Sequence, residues 1–394
     1  MHRMEREQEK APALVIEYTD PLEGFQGWLV IDSLDHRLCA GGMRVQSGLS
    51  RAHLTRMARN MGCKMRLCGL RVDGAKAGID YDPAAPGKSA AMARFIQAIL
   101  PYVRTRYSMG PDLNVAMAEL DGIGKTLGLD SVKMAVAGAQ GWDLAYFNQR
   151  YAILGKEVDG IPLGRLRAGY GVAVATLAVL DYLQIPYPQA RVAIQGFGSL
   201  ARAAAWGLAR NGVRIMAIAD VNQCLIAGND KEHDIPTLLQ APAGALPDRD
   251  LTGDVRQAAR EGIFDVPCDI LVPAAVEGAI SEQVATRLQI RAVVPGANLA
   301  VPARSEDILA QRGILVLPDF LAGCGGSLSM EGLFAPREHP APEQVLAHVE
   351  QRMKELVRQT LARAFASGLS PTRAAWRLCA EAVPQPGTRP YGNP

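Results

Sequence analysis

At 394 residues the chain is too long for one ordinary compact domain, so two domains are expected. Its 42 basic and 40 acidic residues leave a net charge of +2, which gives no electrostatic case for nucleic acid or an anionic membrane as a partner. A hydrophobic fraction of 48% excludes a disordered chain.

No apolar run reaches the roughly 18 residues that would suggest a membrane span. The charged start, MHRMEREQEK, lacks the apolar core of a secretory signal and reads as a frayed tail. The cysteines at 39, 63, 68, 224, 268, 324 and 379 form no C-x-x-C pair, and the six histidines show no paired spacing. Reduced thiols in a cytoplasmic protein are therefore expected, and no metal site.

In chain order, Ala13–Tyr18 and Trp28–Ile31 read as strands leading to Gly41-Gly42-Met43-Arg44-Val45. Ser50–Met65 has the helical period, with Leu54, Met57, Met61 and Met65 on one face. Asp73-Gly-Ala-Lys-Ala-Gly78 reads as a glycine-rich turn, and Ser89–Tyr102 as a second helix. Asp159-Gly-Ile-Pro-Leu-Gly164 is a turn-rich join, with a domain boundary expected just before it.

The second half opens with an apolar helix at Gly171–Leu183. A strand at Arg191–Gln195 then meets a glycine-rich turn, a helix at Ala201–Asn211 stopped by Gly212, and a strand at Val213–Ala219. Asp269–Val272, Ala292–Val294 and Gly313–Leu317 are short apolar runs suited to a buried parallel sheet. Pro342–Ser367 and Pro371–Glu381 read as helices, followed by a Pro/Gly-rich tail expected to be disordered.

The turn Gly196-Phe197-Gly198-Ser199-Leu200-Ala201 has the spacing of a dinucleotide fingerprint, in its proper context of strand before and helix after. Gly196 permits the tight turn and Gly198 a close approach of backbone to pyrophosphate. The amides of Ser199 and Leu200 open the helix toward that charge. Asp220, 24 residues beyond Gly196, is placed to accept hydrogen bonds from the ribose hydroxyls. A carboxylate there repels a 2′-phosphate, so NAD is the expected cofactor.

Lys64 and Lys76 lie twelve residues apart. On spacing alone the default reading is two solvated surface lysines. In one cleft, each ammonium would disfavour the other's charge and ready one of them as a base.

Several segments together resemble the glutamate/leucine/phenylalanine/valine dehydrogenase family. They are Gly41-Gly-Met-Arg44, Lys64, Asp73-Gly-Ala-Lys-Ala-Gly78, Gly196-Phe-Gly198, Asp269-Ile-Leu-Val-Pro-Ala-Ala275, Gly296-Ala-Asn298 and Pro318-Asp-Phe-Leu-Ala-Gly-Cys-Gly-Gly326. The resemblance implies a two-domain α/β fold. An α/β substrate and oligomerisation domain would occupy residues 11–150 and a Rossmann domain 151–335. C-terminal helices at 336–385 would return to the first domain.

It implies reversible oxidative deamination of an L-amino acid to a 2-oxo acid, in a homo-oligomer. By the same resemblance Lys64 would grip the α-carboxylate, and Lys76 would activate water and stabilise the carbinolamine. Ala274 and Asn298 would join the cofactor site. A carboxylate must also shuttle protons at the amine nitrogen; Glu119 is the first choice, with Asp121 and Asp112 behind it.

Departures cluster around the expected cleft. Arg167-Ala-Gly-Tyr-Gly-Val172 lacks the family's threonine, and Gly323 and Pro295 replace an asparagine and a glutamate. Ala40, beside Gly42, stands where glutamate dehydrogenases carry the lysine for the distal carboxylate, and Met330 where they carry a serine. An apolar or aromatic substrate is therefore expected. The alternatives are a specialised reductase or oxidase on the same scaffold and a silent dinucleotide-binding regulatory protein.

Overall fold

The computed structural model describes residues 11–228, 231–242, 244–247, 255–382 and 389–392. The expected frayed start lies outside them. The chain forms two compact units: residues 1–152 with 333–339 and 379–394, and residues 153–332 with 340–378.

In the first unit, β1 (Leu14–Thr19), β2 (Gln26–Ile31), β3 (Cys39–Val45), β4 (Asp73–Ile79) and β5 (Tyr107–Pro111) form one sheet in the order β1-β2-β4-β3-β5. β3 runs parallel to both β4 and β5, while β1 and β2 are antiparallel additions. Side chains alternate across the sheet. Cys39, Met43, Val45, Ala75, Ala77, Ile79, Tyr107 and Met109 enter one core with Met92, Phe95 and Ile96 of α2 (Lys88–Ala98). The opposite face receives α1 (Arg51–Leu67), started by Ser50, whose Oγ accepts from His53 N at 3.3 Å.

The segment Asp73–Gly78, expected as a turn, is a buried strand. Its glycines serve packing. A Cβ on Gly74 would lie 2.0 Å from Gly62 N of α1, so the bare backbone lets helix and strand touch. The expected helix Ser89–Tyr102 also differs: it breaks at Ile99, before a short second helix that carries Pro101 in its first turn.

The tail departs from expectation as well. Residues 383–388 lie outside the described part, but Tyr391 is buried against Phe334, with ring centroids 5.5 Å apart. Gln140 Oε1 accepts from Tyr391 N at 3.2 Å, and Arg71 Nε donates to Arg389 O at 2.8 Å.

The second unit is a seven-stranded sheet of β6 (Arg191–Gln195), β7 (Arg214–Ala219), β8 (Cys224–Ala227), β9 (Val255–Ala258), β10 (Ile270–Pro273), β11 (Ala292–Val293) and β12 (Leu315–Val316). Their order is β9-β8-β7-β6-β10-β11-β12. Five strands are parallel. β8 follows β7 through a tight turn at Asp220, too short for a crossover, so β8 pairs antiparallel with β7, and β9 adds antiparallel to β8.

Beneath this sheet the helix α4 (Leu163–Tyr182) begins well before the expected Gly171. By length and mean hydropathy (1.3) it qualifies as a span, yet 78% of that window is buried inside the fold, as in a core helix. Its glycines permit two close crossings: a Cβ on Gly169 would lie 2.1 Å from Leu200 O, and one on Gly171 2.4 Å from Gly325 Cα. After α5 (Ser199–Arg210) and α6 (Gly325–Phe334), the long helix α7 (Pro342–Ser367) buries Val345, Val349, Met353, Leu356 and Val357. It packs on α4, and Tyr170 OH donates to Glu350 at 2.8 Å. This helix was expected to return to the first domain; its apolar stripe instead groups it with the second unit, and after it the chain rejoins the first from Cys379. All seven cysteines are buried, and none forms a disulfide.

Candidate active site

On the sheet face opposite the first unit's core stand Ala40, Gly42 and Arg44 of β3, Gly74, Lys76 and Gly78 of β4, and Ser108 and Gly110 of β5. Lys76 is 3% exposed, and its Nζ lies 3.1 Å from Asp112 Oδ2. Arg44 Nε donates to the same oxygen at 2.7 Å. Asp112, just past β5, reaches this position because Gly42 has no side chain: a Cβ there would lie 2.8 Å from Asp112 Cβ.

Burial lowers the Lys76 pKa from its ordinary 10.5, Asp112 opposes this, and the charges of Arg44 and Lys64 add to the lowering. Burial alone would raise the Asp112 carboxyl, but Lys76 and Arg44 together hold it below its usual 3.8. Lys64 is buried near the end of α1, where the Gly62–Gly74 contact brings that helix onto β4. The lysine that senses its charge is Lys76.

Glu119 is elsewhere. On α3 (Met117–Thr126) it takes Lys88 Nζ at 2.9 Å and Ser89 Oγ at 2.5 Å, both from the start of α2. Helical geometry turns it toward α2, whereas Asp112 remains on the strand end beside Lys76. Asp121 accepts from Ser131 Oγ at 3.3 Å and Tyr151 OH at 3.4 Å, and burial raises its carboxyl. Of the three carboxylates weighed, only Asp112 is bonded to Lys76. Arg44 and Gly42 are the residues through which it gets there; sequence reading gave neither that role, and neighbouring-strand register was the missing signal.

In the second unit, Gly196 (φ +111°) makes the turn out of β6. Gly198 and Ser199 are exposed at the start of α5, and a Cβ on Gly198 would meet nothing within 4 Å. That open helix N-terminus fits a pyrophosphate. Phe197 is buried, with Arg202 over its ring at 4.8 Å, so it offers backbone alone; its carbonyl accepts from Gly244 N. Leu200 and Ala274 flank Gly296, whose added Cβ would lie 2.8 and 2.9 Å from their side chains.

Asp220 is more committed than expected. Oδ1 accepts from Asn222 N at 2.7 Å and Gln223 N at 2.8 Å, and Oδ2 from Leu246 N at 2.7 Å. It holds the turn into β8 from the end of β7. Asn298 is partly exposed and precedes Leu299, whose N donates to Asp319 Oδ2. Met330 lies buried on α6. Arg167 Nη1 bonds Gly326 O and Ser329 Oγ, each at 3.0 Å, so the departure at this position ties α4 to α6.

Residues 160–385 match the family model described as Glutamate/Leucine/Phenylalanine/Valine dehydrogenase, and residues 12–127 its dimerisation domain. Glutamate dehydrogenase B of Halobacterium salinarum is 30% identical over 298 residues, covering 73% of this chain and 64% of that protein. An NADP-specific glutamate dehydrogenase A1 of the same organism is 26% identical over 292 residues, covering 73% and 66%. The chain thus spans just under two thirds of the length of these relatives. Among solved structures, hetero-hexameric glutamate dehydrogenase from Thermus thermophilus in its leucine-bound form is similar at a TM-score of 0.75 and 26% identity, covering 96% of this chain and 93% of that one.

Proposed function

From the premise that this chain belongs to the glutamate/leucine/phenylalanine/valine dehydrogenase family, we propose that it catalyses the reversible oxidative deamination of an L-amino acid. The products are the 2-oxo acid, ammonia and a reduced nicotinamide dinucleotide. The observation that carries this reading is the pair of Lys76 and Asp112 beside the partly exposed Ala40, Gly42 and Gly110.

The bound dinucleotide supplies the hydride acceptor. Lys64 holds the substrate α-carboxylate. Asp112 takes a proton from the α-ammonium group, so that the nitrogen lone pair can form the iminium as hydride leaves Cα. Lys76, its pKa lowered by burial, removes a proton from water as the water adds to that carbon. Asp112 returns its proton to the nitrogen of the carbinolamine, and ammonia departs as the carbonyl forms, the hydroxyl proton passing to the re-ionised Asp112 carboxylate and then, with the proton held by Lys76, to solvent. The backbone amides of Ser199 and Leu200 hold the pyrophosphate, with Ala274 and Asn298 beside them.

NAD is favoured over NADP because Asp220 places a negative charge at the end of β7, and Val221-Asn222-Gln223 supplies no cation against it. A homo-oligomer built through the first unit accords with the dimerisation-domain match. The small Ala40 admits a long side chain. The expectation that this side chain is apolar rests on Ala40 and Met330 alone and leaves out a third lysine on the same sheet face.

The test is a panel of L-amino acids with NAD, and of 2-oxo acids with ammonia and NADH, followed at the nicotinamide absorbance. Turnover lost in Lys76→Ala with dinucleotide binding retained supports the reading. Dinucleotide binding without turnover of any substrate contradicts it and favours the regulatory alternative.

A further inference from the structure

Lys133 is 6% exposed, and the proposed chemistry leaves it without a role. The chain places it on the site face of the first sheet. Met109 N donates to Val132 O at 3.0 Å, so residue 132 runs beside β5. Val132 enters the core on one side. Lys133 goes to the other, and its Nζ lies 3.4 Å from where a Cβ of Gly110 would stand.

Gly110 pairs with Gly42 across β5 and β3, and Ala40 pairs with Ser108. Ala40, Gly42 and Gly110 are the partly exposed part of this floor. Lys76 stands on β4, two strands from Gly110, an offset of about 10 Å between strand axes at the usual spacing. The two ammonium groups therefore stand at opposite sides of a strip of floor in which Ala40 and Gly42 present little side chain and Asp112 lies against Gly42.

We propose that Lys133 is a specificity-determining residue that receives the far end of the substrate side chain, and that this end is a carboxylate. The inference rests on the dehydrogenase reading above and names its substrate class, a dicarboxylic amino acid. The lysine that glutamate dehydrogenases carry at the position of Ala40 is absent, and a cation reaches the same floor from beyond β5. An apolar side chain ending there would set hydrocarbon against the Lys133 ammonium, whereas a carboxylate would set an anion against it. Asp121 faces Lys133 from α3 and is itself held by Ser131 and Tyr151, so a purely structural Lys133–Asp121 pair is the competing account.

Steady-state kinetics with glutamate, leucine and phenylalanine on the wild type, Lys133→Met and Lys133→Gln separate the two. The expected result is that the wild type favours glutamate. Lys133→Met should then lose about 10²-fold in kcat/KM for glutamate, mostly through KM, with leucine unchanged or improved. An equal loss on every substrate, or a wild-type preference for leucine or phenylalanine, overturns the proposal. Calorimetric binding of glutarate against pentanoate to the wild-type protein needs neither turnover nor a folded variant. Tighter glutarate binding is expected, and equal binding overturns it. Absence of all turnover with glutarate still preferred would instead sink the dehydrogenase reading and leave the Lys133 subsite standing.

Discussion

Asp112 Oδ2 lies 3.1 Å from Lys76 Nζ, and both side chains are largely withdrawn from water, at 16% and 4% exposure. Arg44 contributes a second cation to the same oxygen. The carboxylate therefore stays ionised, while the lysine, crowded by Arg44 and Lys64 and desolvated, releases its proton more readily than a surface lysine. An anion that accepts a proton and an amine that can lose one stand in hydrogen-bonding reach of each other.

That arrangement separates Asp112 from Glu119. Asp112→Asn should lower kcat by about 10²-fold or more, the usual scale of a lost proton-transfer group. Glu119→Gln weakens a pair with Lys88 whose side chains are 18–20% exposed, so the expected cost is about 1 kcal/mol of stability with kcat nearly intact. Kinetics and urea midpoints on the two variants decide it; a dead Glu119→Gln with an active Asp112→Asn reverses the assignment.

The pH dependence follows from the directions of the two shifts. Neutral Lys76 is the form that takes a proton from water, and its pKa lies below 10.5, so kcat for oxidative deamination should rise with pH with its midpoint below that value. The stability contribution of Asp112 also grows with pH, in a lower range. The Asp112 pKa is depressed in the fold, so its contribution is full above the ordinary 3.8 and is lost as pH falls through its lower folded-state value. The gap in urea midpoint between wild type and Asp112→Asn should therefore narrow in acid; a gap that widens would contradict the assignment.

Gly74→Ala tests how the fold delivers Lys64. The new Cβ would meet Gly62 N at 2.0 Å and Ala58 O at 2.4 Å, both backbone atoms that cannot rotate away. The expected cost is about 1–3 kcal/mol from overpacking, with a rise in KM as α1 moves off β4. Denaturation and substrate KM measured together check it, and an unchanged KM at lowered stability would show that Lys64 does not depend on this contact.

Much of this was legible in the residues, and the rest fails for identifiable reasons. The dinucleotide turn is local: Gly196 to Asp220 is read along one stretch of chain. β4 was obscured because Gly-Ala-Lys-Ala-Gly has the composition of a turn, and only α1 packed on its glycines makes it a strand. Asp112, Glu119 and Asp121 are too close in sequence to be separated by counting. Gly42 and Arg44 on the adjacent strand decide among them, through a register no single segment contains. Lys133 reaches Gly110 by way of one backbone hydrogen bond, Met109 to Val132, which leaves no trace in spacing.

Cofactor choice is tested at Asp220. Its carboxylate accepts three backbone N–H groups, so Asp220→Ser should destabilise the turn into β8 as well as narrow any preference for NAD. Titration of NAD and NADP into both proteins, with thermal unfolding alongside, separates the two effects. Tighter NADP binding by the wild type would remove Asp220 from the account of specificity.

The central claim, that this chain oxidatively deaminates an L-amino acid with Lys76 and Asp112 as its proton-transfer pair, is tested most directly by one measurement. Wild type, Lys76→Ala and Asp112→Asn are assayed with the amino-acid panel and NAD, after each has been shown to bind dinucleotide. The predicted result is substrate-dependent NADH formation by the wild type and at least a 10²-fold loss in both variants, with cofactor affinity unchanged. NADH formation that survives in either variant, or its absence from the wild type with every amino acid, would contradict the claim.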